Sequence, residues 1–92
     1  TYPAYKSRLI CGMFAVGQVV RATAGGEKGK LFAVIRCEET FAFISDGKRH
    51  RVLNPKKKSF KHIEPLDTTL TDENLTDKKL RKALERIRKS LP

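Results

Sequence analysis

The sequence predicts a mainly β protein: a small, closed or partly closed barrel of about five short strands, followed by one C-terminal α-helix. Three observations predict it. From Phe14 to Leu66, short apolar runs alternate with turn-forming glycine, asparagine and proline, the spacing of an all-β domain. Within that stretch, Gly17 to Ile35 reads as a strand, a glycine-rich basic turn and a second strand, which makes a hairpin. From Thr76 onward the apolar residues recur at helical spacing instead. The 92 residues allow one domain and little more. Closing so small a sheet is one way to manage its edges.

Residues 1–12 show no clear period and read as a flexible leader or a peripheral strand. Met13, four residues before Gly17, is a candidate native start. The barrel is expected over 13–66. Gln18 to Thr23 is its first strand, around Val19 and Val20. Gly25, Gly26, Glu27, Lys28, Gly29 and Lys30 follow, and their glycines permit positive φ and close backbone approach. Leu31 to Glu38 is the second strand, and its continuous apolar start implies burial on both faces. Thr40 to Asp46 is the third, with Phe41 and Phe43 on one face and Ala42 and Ile44 on the other. Asp46-Gly47-Lys48 turns the chain into a fourth run, His50 to Leu53, which Asn54-Pro55 breaks. A short fifth run, Phe60 to Ile63, ends at Pro65.

Core candidates are Val19, Val20, Leu31, Phe32, Val34, Ile35, Phe41, Phe43, Ile44, Val52, Leu53 and Ile63. Such a core is marginal but can fold alone. Residues 67–75 read as a polar linker around Leu70. The helix is expected over 76–91, with Thr76 as N-cap and Leu75 and Leu80 at hydrophobic-staple spacing. Leu80, Leu84, Ile87 and Leu91 form its apolar stripe, and Lys79, Lys82, Arg86 and Lys89 lie roughly opposite. The stripe is too short for a coiled coil. It is expected to pack on the barrel or on a second copy, so the oligomeric state stays open.

Charge bounds the partners. The chain has 20 Lys and Arg against 10 Asp and Glu, a formal net charge of +10. Such an excess favours polyanions, nucleic acid first and an anionic membrane surface second. Lys48, Arg49, Arg51, Lys56, Lys57, Lys58 and Lys61 fall in one stretch that holds no acid. The two cysteines form no CxxC pair. Cys37 reads as a small core residue. Cys11, Cys37, His50 and His62 match no familiar zinc spacing, so no metal or cofactor is expected. No segment has the length of a membrane span, and Lys6 and Arg8 interrupt any signal-peptide core. A cytoplasmic protein is expected. Paired carboxylates, a Ser/His/Asp set and a phosphate-loop signature are all missing from the sequence. Binding without catalysis is therefore expected, not an enzyme.

Gly17, Gly26-x-x-Gly29-Lys30 and the apolar run from Leu31 to Ile35 resemble the KOW motif, a short element of ribosomal proteins and transcription factors that usually contacts RNA. The likeness extends to Asp46-Gly47 and to the run Asn54-Pro55-Lys56-Lys57-Lys58-Ser59-Phe60-Lys61-His62. Over roughly Gly17 to Pro65 the chain is similar to KOW proteins related to the large-subunit ribosomal protein of the L-fourteen-e class and its small bacterial relatives. The resemblance implies an SH3-like barrel. It also implies structured RNA as partner, ribosomal RNA above all, with ribosomal proteins as neighbours and a role around the ribosome and translation. Relatives often carry a charged residue where this chain has Gly25-Gly26.

The expected RNA-binding residues are Lys28, Gly29 and Lys30 at the hairpin, with Arg49, Arg51, Lys56, Lys57, Lys58 and Lys61 extending the positive track. Such contacts position RNA without reading its sequence. Phe60, set among lysines, is the candidate for base stacking, weighed against a place in the core. The alternative is a protein-interaction module whose SH3-like barrel binds an acidic partner. Tyr2 and Tyr5 precede the barrel and tryptophan is absent, which argues against an aromatic cage.

Overall fold

A computed structural model describes residues 10–11 and 14–91. Most of the leader stretch therefore lies outside the described residues, as do Met13 and Pro92. Ile10–Cys11 (β1) pairs antiparallel with Phe14–Ala15 (β2) as a small separate ribbon. The main sheet contains Gln18–Ala22 (β3), Leu31–Cys37 (β4), Phe41–Ser45 (β5), Lys56–Ser59 (β6) and Ile63–Thr69 (β7). Its order is β6-β5-β4-β3-β7, antiparallel throughout. The sheet is barrel-like but not closed, and β6 and β7 are its edges. A 3-10 turn, Phe60–His62, links the two edges in sequence. It is fastened at both ends: Phe60 N–H donates to the Thr40 carbonyl (3.1 Å) and Thr23 N–H to the His62 carbonyl (2.8 Å).

Two cores share this sheet, which explains why adjacent residues of β3 and β4 are both buried. Val20, Ala22, Phe32, Val34, Ala42 and Ile44 point inward with Phe14 and Ile63. Val19, Leu31 and Ala33 point outward, where the helix α1 (Asp77–Ser90) lays Leu80 and Leu84 over them. Alternation along a strand sends neighbours to opposite faces. A continuous apolar run therefore needs cover on both sides, and the helix supplies the second cover. Ile87, Leu91, Val52, Leu66, Leu70 and Leu75 rim this outer cluster. Among the described residues, no helix is long and apolar enough to cross a membrane.

The structure departs from the expected elements after Ser45. His50 to Leu53 is not a strand. Its backbone groups are taken by side chains: Asp46 Oδ1 accepts from His50 N–H (2.9 Å), Ser45 Oγ donates to the His50 carbonyl (2.5 Å), and Asp77 Oδ1 accepts from Val52 N–H (2.7 Å). Groups committed in this way cannot join a ladder. Leu53, a core candidate, is 97% exposed. The strand forms instead at Lys56–Ser59, on the edge beside β5, where lysines are well tolerated. Pro65 does not end the last strand. It sits within β7, an edge strand whose open side needs no donor, and pairing with β3 continues to Thr69. The first part of the expected linker is thus strand, and Asp72–Asn74 is a 3-10 turn.

Phe41 and Phe43 share a face, as alternation predicts, but it is the outer one, and Phe41 is exposed. Cys37 is half-buried against the inner core and is disulfide-bonded, not a simple packing thiol. Thr76 makes no side-chain cap bond. The first-turn carboxylate of Asp77 reaches across to the loop before β6 instead.

Candidate functional site

The β3–β4 hairpin tip is built by its own backbone. Gly29 N–H donates to the Ala22 carbonyl (2.8 Å), Lys30 N–H to Glu27 (3.0 Å) and Lys28 N–H to Gly25 (3.2 Å). Gly25 and Gly29 adopt φ of +86° and +90°, as the glycine-rich turn predicts. Lys28, Gly29 and Lys30 are exposed. Glu27 is the exception among the charged tip residues. Its side chain turns inward and is only 12% exposed.

Glu27 fastens the tip to the basic track. Its Oε1 lies 2.6 Å from His50 Nε2 and 3.7 Å from Lys56 Nζ. Lys58 Nζ donates to the carbonyl of Ala24 at 3.0 Å, beneath Gly25. The reason lies in the β6 register. Lys56 pairs with Ile44 and Lys58 with Ala42, both inward-facing residues. The stems of Lys56 and Lys58 therefore start on the inner face and carry their ammonium groups toward the hairpin. The result is an open cleft of about 510 Å³ lined by Gly25, Gly26, Glu27, Arg49, His50, Lys56 and Lys58. Arg49 and Lys58 form no ion pair among the described residues. Glu27 thus ties Lys56 and His50 to the tip, and with Arg49 and Lys58 also in the lining the cleft keeps a positive excess. Arg51 and Lys61 are exposed but stand outside its lining.

A buried carboxylate is costly unless partnered. Glu27 Oε2 is buried with no hydrogen-bond partner among the described residues, so Oε1 carries the compensation. Glu27→Ala removes the link between tip, loop and edge strand. It is expected to destabilise the fold by about 1–3 kcal/mol, the usual cost of orphaning partly buried polar partners. Urea titration measures it. An unchanged midpoint would mean that backbone bonds alone hold the tip. Composition does not single out Glu27 as anything but a surface acid. The one available signal is that it is the only acid in a cationic turn.

Lys57 leaves this group. Alternation puts it on the outer face, where its Nζ lies 4.3 Å from the centre of the Phe41 ring. Arg36 lies 4.0 Å over the neighbouring Phe43 ring. Phe60 belongs to the interior instead: half-buried, it packs on the inner core with its ring 5.1 Å from that of Phe14. The outward-facing aromatics of the sheet are therefore Phe41 and Phe43, which the sequence places among core candidates.

A second basic surface lies along the helix. Lys48, Arg81, Lys82, Arg86 and Lys89 border an open groove of about 630 Å³ with Glu85 among them. Glu85 is engaged by Arg88, whose hydrogen bond holds the carboxyl below its ordinary pKa. Among the described residues, no group of three or more His, Cys, Asp and Glu side chains is arranged to hold a metal. No protein-family model matches the chain, and no curated protein matches it.

Proposed function

We propose that this protein binds structured RNA through the cleft between the hairpin tip and the basic edge strand, without catalysis. One observation carries the reading. Two separate segments, the loop at Arg49-His50 and β6, bring Arg49, Lys56 and Lys58 to one concave site beside the glycine backbone of the hairpin tip. Bare backbone lets a sugar-phosphate chain approach closely, and the ammonium and guanidinium groups neutralise its phosphates. Lys28 and Lys30 extend the field outward. The formal net charge of +10 supplies the long-range attraction.

The finer fold reading is an SH3-like barrel of the KOW type, which the five-strand antiparallel sheet supports. On the resemblance of Gly26-x-x-Gly29-Lys30 and the Asn54 to His62 run to KOW ribosomal proteins, the RNA is ribosomal and the neighbours are ribosomal proteins.

The test is a salt titration of binding to a structured ribosomal RNA fragment. Log affinity is expected to fall linearly with log salt, with a slope near −0.9 per phosphate neutralised for duplex regions. Lys28→Ala with Lys30→Ala should flatten that slope by about 1 per lysine lost while leaving the melting curve in place. A flat response in the unaltered protein sinks the electrostatic reading. Unfolding of the double variant would make the lysines structural.

A further inference from the structure

The outer face of the sheet carries a feature that phosphate binding does not use. Across β4, β5 and β6 the register sets Arg36, Phe43 and Lys57 in one row, with Phe41 two residues along β5 on the same face. Two residues of strand separate the rings by about 7 Å. Phe41 is 37% exposed. Each ring is met by a cation: Arg36 over Phe43 at 4.0 Å and Lys57 over Phe41 at 4.3 Å. Helix α1 covers the outer face at Val19, Leu31 and Ala33, on β3 and the start of β4.

We infer that Phe41 and Phe43, with Arg36 and Lys57, form a stacking surface for unpaired bases of an RNA strand. The inference rests on the RNA-binding reading and names the kind of RNA that reading leaves open. Two chemical demands meet on this patch. The rings want a flat, weakly polar partner, and the cations over them want negative charge nearby. A base with its phosphate meets both at once. An apolar protein surface would strip water from Arg36 and Lys57 and return no opposite charge. An acidic peptide would satisfy the cations and leave the rings uncovered. Base faces are hidden in a duplex, so the patch selects single-stranded segments. The guanidinium of Arg36 offers a second plane on which a base can stack. Position favours the same occupant. β6 is an edge strand with Lys56 and Lys58 turned to the phosphate cleft and Lys57 turned to the rings. An RNA chain crossing this edge meets cations on both sides of it.

The experiment compares labelled oligouridine with a blunt RNA duplex of equal length, at several salt concentrations. Phe41→Ala is expected to weaken oligouridine binding about 5- to 150-fold, the range for losing one stacked base. Duplex affinity and the salt slope should hold, since stacking releases no counterions. Phe41→Tyr, which keeps the ring, should restore binding. A readout free of substitution is the proton spectrum of the unaltered protein. Adding oligouridine should shift the ring protons of Phe41 and Phe43 through base ring currents. Unmoved ring signals at saturating oligouridine overturn the inference, as does an equal loss on both RNAs. Unaltered protein that binds the duplex but not oligouridine also overturns it and leaves the phosphate-binding reading standing. Unaltered protein that binds neither at low salt removes both.

Discussion

Leu80→Ala is expected to lower unfolding free energy by about 2–5 kcal/mol, the cost of a buried leucine cavity that cannot fully collapse. Leu80 is 0% exposed and belongs to the outer cluster with Val19, Leu31, Ala33 and Leu84. Collapse is hindered from below, because Val19, Leu31 and Ala33 sit on two hydrogen-bonded strands. It is hindered from above too, because the helix start is fixed by Asp77 on Val52 N–H (2.7 Å) and by Leu80 N–H on the Thr76 carbonyl (2.7 Å). For so small a domain this is a large share of total stability. Ile87 provides the internal control. It lies on the same stripe but is half-buried, so Ile87→Ala should cost clearly less. Urea titrations of the three proteins decide it. A Leu80→Ala protein within 1 kcal/mol of the parent would mean that the helix is dispensable to the sheet.

Legibility tracked how much of each segment's behaviour was local. β3, β4 and β5 could be read because their apolar residues face a core and sit between turn residues. The double burial of Leu31 to Val34 was also readable, though not what lay on the outer side. β6 carries no apolar residue at all: Lys56, Lys57, Lys58 and Ser59 become a strand only because β5 offers an open edge. Alternation predicts that Phe41 and Phe43 point together, but not whether the shared direction is core or solvent. That choice was settled by Ala42 and Ile44, whose side of β5 faces Phe14 and Phe32. At the candidate site, the cations were visible as a run and the glycines as a turn. Their convergence was not, because it depends on Glu27, one carboxylate reaching 23 residues along the chain to His50. His50 reads as a strand residue by its pattern, yet its backbone is committed to Ser45 and Asp46. Side-chain capture of backbone groups is invisible to period counting.

Gly47 joins the sheet to the helix, and its replacement is the other large expected effect. The residue has φ +73°, in the left-handed region, and a Cβ there would fall 2.3 Å from the Asp77 carbonyl oxygen and 3.1 Å from Arg81 N. Both are backbone atoms of α1, so no side chain can swing away. Gly47→Ala therefore carries two costs, a strained backbone and an overpacked contact, each about 1–3 kcal/mol. Gly29→Ala separates them. Gly29 has φ +90°, but nothing lies within 4 Å of its would-be Cβ, so only the backbone cost applies. The difference between the two variants reads the helix contact alone. Gly47→Ala should also push the helix off its seat. The amides of Leu80 to Lys89 should then exchange faster in that variant, and remain protected in Gly29→Ala. The turn is otherwise tightly made, with Gly47 N–H on Ser45 Oγ (3.0 Å) and Lys48 N–H on Asp46 Oδ1 (2.9 Å), so it has little freedom to retreat from the helix. Equal melting temperatures for the two alanine variants, with equal exchange along the helix, would show that α1 does not rest on this turn.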